Sequence, residues 1–94
     1  MNTHPLSKLF PLGELVITTN ALRGLAPSEV CAALNRHASG DWGDLCMDDK
    51  AINDGALAAG CQLISAFHDR KGNRFFIITQ GDRSQTTLLL PQDD

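Results

Sequence analysis

The chain has 94 residues, 43% of them hydrophobic, and eight Lys and Arg against eleven Asp and Glu give a formal net charge of −3. That length fits one small domain, and the charge disfavours broad phosphate binding, because each phosphate contact needs a cation. No apolar run approaches the ~20 residues that cross a bilayer, and three cysteines are an odd count where a disulfide framework uses an even one, so a cytoplasmic protein with small buried thiols is expected.

Residues 1–10 read as a loose N-terminal arm whose Leu9-Phe10-Pro11 end could pin it to the core. They carry no basic stretch followed by a long apolar one, so no secretory leader is expected. Glu14 to Thr19 is a β-branched run between Gly13 and Asn20, the pattern of a short strand. Thr19 or Asn20 would cap a short helix over 21–25. Pro27 suits a first helical turn, and Val30, Ala33, Leu34 and His37 recur at helical spacing. They predict a helix over about 28–38, closed by Ser39-Gly40. Asp44 is the candidate N-cap of a further helix, and Asp48 and Asp49 would favour its positive end. Its buried stripe would be Ile52, Ala56 and Ala59 with Leu57 beside it, Gly55 would admit a close neighbour, and Gly60 would end it.

Beyond Gly60 the period changes from helical to alternating. Gln62 to His68 and Arg74 to Thr79 flank a loop containing Gly72, which predicts a β-hairpin. A turn at 81–84 leads to a third strand over 86–91. The consecutive Phe75, Phe76, Ile77 and Ile78 call for neighbours on both faces of the middle strand. Strand one, or a second copy pairing as a homodimer through the sheet, would cover the face the helices leave. The tail 92–94 is expected to fray. The expected fold class is α+β over a single domain, 1–94: a short N-terminal strand, two to three helices, then a three-stranded antiparallel β-meander.

The stretch RHASGDWGDLCMDD, 36–49, holds the single tryptophan and four aspartates. A metal reading would use His37, Cys46 and an aspartate, but zinc knuckles need CxxC or HxxxH spacing, which is absent, so neither metal nor cofactor is expected. A hydrolase reading would pair Asp41 with Asp44, whereas carboxylates at a helix start are more simply caps. Trp42 reads either as an anchor of a satellite core or as an exposed aromatic on a partner-binding surface. The protein-interaction candidates are Asp41, Trp42, Asp44, Asp48 and Asp49. No nucleophile elbow, HExxH or phosphate loop occurs, and no enzyme is expected. Opposite in charge are Arg70, Lys71, Arg74, Arg83 and Ser84, which could hold an anion or touch nucleic acid along the hairpin edge. Asp82 and Ser84 alternatively close a turn on the backbone.

The segments HASGDWGDL (37–45), LISAFHDRKGNRFFIIT (63–79) and GDRSQTTLLLPQD (81–93), led by LFPLGELVITTNAL (9–22), resemble a family of small bacterial proteins. Its members carry the labels plasmid-related or type I restriction endonuclease subunit M. The resemblance covers nearly the whole chain and implies carriage on mobile elements. A DNA-modification subunit would need a cofactor-binding domain and an Asn-Pro-Pro-aromatic loop, and this sequence has neither. The function expected is therefore a non-catalytic binding protein that docks on a larger protein or nucleoprotein, for instance a restriction or CRISPR assembly, its acidic patch imitating phosphate charge. The alternative is a nucleic-acid-binding accessory that uses the basic hairpin edge.

Overall fold

The β-branched run after Gly13 forms β1 (Glu14–Ile17), and Thr18 turns the chain into α1 (Thr19–Gly24). The structure, a computed structural model, describes residues 8–93, so the arm over 1–7 and Asp94 lie outside it. Two longer helices follow, α2 (Pro27–Ala38) and α3 (Met47–Ala59), then β2 (Leu63–His68), β3 (Arg74–Thr79), β4 (Gln85–Leu89) and a 3-10 turn, Pro91–Asp93. Gly40 (φ 86°) and Gly60 (φ 72°) follow the last residues of α2 and α3, in the left-handed conformation that ends helices.

The fold is α+β, and the predicted meander is present with one strand more. β2, β3 and β4 pair antiparallel, and β1 joins β4 in parallel to give the order β1-β4-β3-β2. β1 therefore lies at an edge of the sheet and does not cover a face. The backbone explains this: Glu14 N–H donates to Ser84 O and Thr18 N–H to Leu88 O, so one side of the short strand satisfies its polar groups on β4.

One face of the sheet is buried against the helices. Leu63, Ser65, Phe67, Phe75, Ile77, Thr79, Thr86 and Leu88 point to that side and none is more than 2% exposed. Val30, Ala33 and Leu34 of α2, with Ala21 and Leu25, pack on Phe67, Phe75, Ile77 and Leu88. A second cluster joins Phe10, Trp42, Ala56 and Leu63, with Leu12, Leu45 and Leu57 against it. Phe10 and the Leu9 N–H, which donates to Ala38 O, hold the start of the described chain to the core. On the opposite face the register lines up Val16, Thr87, Ile78 and Ile64 in one row across all four strands, with Leu89, Phe76 and Ala66 in the next. Only Ala66 and Leu89 of these are fully buried, so the neighbours expected on both faces of β3 exist in full on one.

Four local expectations are corrected. Thr18, not Thr19 or Asn20, caps α1, accepting from Ala21 N–H at 3.2 Å. The buried residues of α3 are Asn53 and Ala56, while Ile52 is 67% exposed, Ala59 is exposed, and Gly55 faces open space. The three cysteines are exposed. The tail does not fray through Asp93, whose carboxylate accepts from Thr18 Oγ1 (2.6 Å), Asn20 Nδ2 (2.7 Å) and Leu90 N–H (2.9 Å).

α3 turns Asn53 inward because it lies along the outer edge of β2. The Asn53 amide donates to Ile64 O (2.6 Å) and accepts from Ile64 N–H (3.1 Å), as a neighbouring strand would. The 42–44 segment closes the rest: Ala66 N–H donates to Trp42 O, and Asp44 N–H to Ala66 O. Gly43 (φ 72°) makes that approach feasible, since a Cβ there would fall on the Ala66 carbonyl oxygen. Asn53→Ala is expected to cost about 1–3 kcal/mol in urea unfolding by leaving both Ile64 groups without a protein partner. Asn53→Asp, which keeps the acceptor but sets a buried carboxylate oxygen against the Ile64 carbonyl, should cost at least as much.

Candidate functional site

The aspartate-rich joint after α2 is tied down residue by residue. Asp41 pairs with Arg36 (Nε to Oδ2, 2.7 Å) and accepts from Gly43 N–H, and these bonds hold its carboxyl below the usual range and raise the Arg36 guanidinium. Both partners are about half exposed, so the pair contributes under ~1 kcal/mol. Asp44 does not cap α3. The N-cap is Cys46, which makes no side-chain cap, and the Asp44 carboxylate instead meets His68 Nδ1 at 2.7 Å. Trp42 is 3% exposed, its Nε1–H donating to Asp54 at 2.9 Å, so it is an anchor of the second core and not a surface contact. Asp48 and Asp49 do lie in the first turn of α3, with no ion pair or side-chain hydrogen bond among the described residues.

The basic candidates do not form one patch. Arg83, in the β3–β4 turn, has left-handed backbone (φ 63°), and its guanidinium donates to Cys61 O (2.6 Å), Gln80 O (3.1 Å) and Ala56 O (3.3 Å). It satisfies carbonyls at the end of α3 and stacks over Phe10, 5.5 Å from the ring centre. Arg74, expected beside it, starts β3, while Arg83 lies past the end of that six-residue strand, roughly 20 Å of extended chain away. Arg74 lies over Phe76, and Arg70 bonds Glu29 through its backbone N–H at 2.8 Å. Lys71 N–H donates to Asp69, closing the hairpin loop. Ser84 N–H donates to Asp82 Oδ1 (2.9 Å), the turn closure that competed with an anion role. An anion held jointly by Arg74, Arg83 and Ser84 is thus excluded by their placement.

His37 and its partners form the most polar part of the interior. Nδ1 meets Ser65 Oγ, Nε2 meets Thr79 Oγ1 at 2.9 Å, Thr79 meets Thr86 Oγ1 at 2.8 Å, and Thr86 donates to Leu12 O at 2.7 Å. The last carbonyl sets the direction of the whole chain. Thr86 gives its proton to Leu12 O and so accepts from Thr79; Thr79 accepts from His37 Nε2–H; Nδ1 is left to accept from Ser65. His37 is fully buried between the rings of Phe10 (5.3 Å) and Trp42 (5.6 Å). Burial, with the Arg83 charge second, pushes it down to about 4. The pair of Ser65 and His37 has the contacts of a nucleophile and base, yet both are enclosed and present no reacting atom to solvent. The sequence signal for this network was available: three hydroxyls at inward positions of otherwise apolar strands, and a histidine on the apolar stripe of α2.

Of the open grooves, the one beside the joint is largely apolar. Leu45, Asp49, Ile52, Asn53 and Ile64 line a groove of about 240 Å³ between α3 and β2. Ile52 and Ile64 are 67% and 37% exposed, and Met47 at the start of α3 is 84% exposed. No cluster of His, Cys, Asp or Glu that could hold a metal ion occurs among the described residues, nor any helix long and apolar enough to cross a membrane. Comparison with known protein families, curated proteins and solved structures finds no match to this chain.

Proposed function

We propose that this chain is a cytoplasmic binding module, without a reaction of its own, that docks a larger protein through the groove between α3 and β2. The observation that carries the reading is the pairing of exposed Ile52 and Ile64 with Asp48 and Asp49, two carboxylates that no described cation neutralises. Exposed apolar groups rimmed by one sign of charge fit a partner of complementary make-up, here apolar side chains flanked by Lys or Arg. Such a surface is what a nucleoprotein of a restriction or CRISPR system offers where it grips phosphates, in keeping with the mobile-element resemblance of the sequence. The acidic contribution comes from Asp48 and Asp49, since Asp41, Asp44 and Asp54 already have internal partners.

The test compares wild type, Ile52→Asp and Asp48→Lys/Asp49→Lys as immobilised baits in extracts of a host carrying such a system. One protein recovered by wild type and lost from both variants is expected, its binding weakening with salt. Equal recovery on all three baits would remove this surface from the account.

A further inference from the structure

The two edges of the sheet are treated in opposite ways. β2 is sealed by Asn53 and by the 42–44 segment. β1 is not. Since Glu14 and Thr18 direct their N–H groups to β4, the two-residue period aims the N–H and C=O of Leu15 and Ile17 outward. An open edge is ordinarily blunted by lysine, proline, a bulge or a very short strand. Over Leu15-Val16-Ile17 only the shortness is present. Beside this edge, on the helix side, lies a groove of about 160 Å³ lined by Ile17, Leu22, Leu25, Pro27, Val30 and Cys31. Leu15, 45% exposed, and Leu22, 66% exposed, flank it.

We propose that β1 pairs antiparallel with β1 of a second copy of this chain, Leu15 opposite the partner's Ile17, giving one eight-stranded sheet. The edge is self-complementary in this register. Leu15 and Ile17 each exchange two backbone hydrogen bonds with the partner's Ile17 and Leu15, and Val16 falls on the two-fold axis. Glu14 then lies opposite the partner's Thr18, so the two Glu14 residues stand at opposite ends of the ladder and do not face each other. Opposed residues on antiparallel strands share a face, which brings each exposed Leu15 to the other copy's groove. The ladder cannot lengthen, because Gly13 bends away at φ 67° and α1 starts at Thr19. Four hydrogen bonds and a few leucines fall below the ~800 Å² per partner of a standard interface, so the dimer dissociates on dilution. It uses the edge opposite the α3 groove and stands or falls independently of the docking reading.

Sedimentation of the purified chain is expected to show mass rising with concentration from one chain toward two. Leu15→Pro, which removes an outward N–H and spares the β4 ladder, should abolish that rise while circular dichroism stays unchanged. If that variant unfolds, Leu22→Lys, on an exposed side chain, is expected to weaken the dimer about tenfold. With the three native cysteines replaced by serine, Val16→Cys should cross-link on oxidation, its Cα about 4.5 Å from the partner's. Leu15→Cys, about 8 Å from its own copy, should not. A monomer at every concentration, a dimer indifferent to these edge changes, or cross-linking at position 15 in place of 16 would overturn the proposal.

Discussion

Trp42→Ala is expected to lose about 3–5 kcal/mol of stability, the usual range for removing a buried aromatic ring. A domain of this size holds roughly 5–15 kcal/mol in all, so the variant should be marginal or unfolded at body temperature. The cost has three sources. The ring is 3% exposed and stacks with Phe10 at 6.3 Å, its indole N–H holds Asp54 at 2.9 Å, and its edge closes one side of the His37 cavity. Its backbone also belongs to the segment that seals β2, but alanine keeps that contact, so the loss reports the side chain. Trp42→Phe retains most of the stacking and gives up the hydrogen bond to Asp54, and should cost clearly less. Urea unfolding of the three proteins decides the matter. A Trp42→Ala midpoint close to wild type would mean that the second core is not anchored as described.

The second large effect belongs to His37 and depends on pH. The folded protein holds this imidazole near 4, whereas an unfolded chain would hold it near ~6.5. Between those values the unfolded state binds the extra proton, so stability rises with pH across the window and is lost as pH falls through it. The full contribution is on the order of 3 kcal/mol, and about 2 kcal/mol of it should disappear between pH 7 and pH 5. Asp41 and Asp93, held low by Arg36 and by Thr18 respectively, add to acid sensitivity only at lower pH, in the carboxylate range. His37→Leu separates the contributions. It leaves Ser65 with no acceptor for its proton and should cost about 2–4 kcal/mol at pH 7. It also removes the titrating group, so the gap to wild type should narrow by about 2 kcal/mol at pH 5. A gap of constant size between the two pH values would show that His37 does not titrate in a buried site.

These two residues show how far the sequence could be followed. His37 sits seven residues after Val30 on the stripe of α2, and that spacing was enough to turn it inward. Its partners Ser65 and Thr79 are 28 and 42 residues away, beyond the reach of any periodicity argument. Trp42 was legible as one of two alternatives, and packing selected the anchor. For Asp44 the rule that a carboxylate before a helix caps it gave the wrong partner, because the backbone of 42–44 is drawn against β2 and carries the side chain to His68. Arg83 was read as an outward cation, yet its turn lies against the end of α3, where unpaired carbonyls outcompete solvent for it.

Local patterning by itself determined the helices and strands, the α+β class, the hairpin, and the glycines that follow α2 and α3, since each rests on residues within a few positions of one another. Only the tertiary structure decided that β1 would pair in parallel at the edge of the meander, that Asn53 would replace a neighbouring strand, and that within the acidic joint Asp41 would meet Arg36 and Asp44 would meet His68. Those outcomes depend on which backbone groups are left without partners once the elements pack. A buried N–H or carbonyl takes the nearest group able to satisfy it, however far away that group lies in the chain.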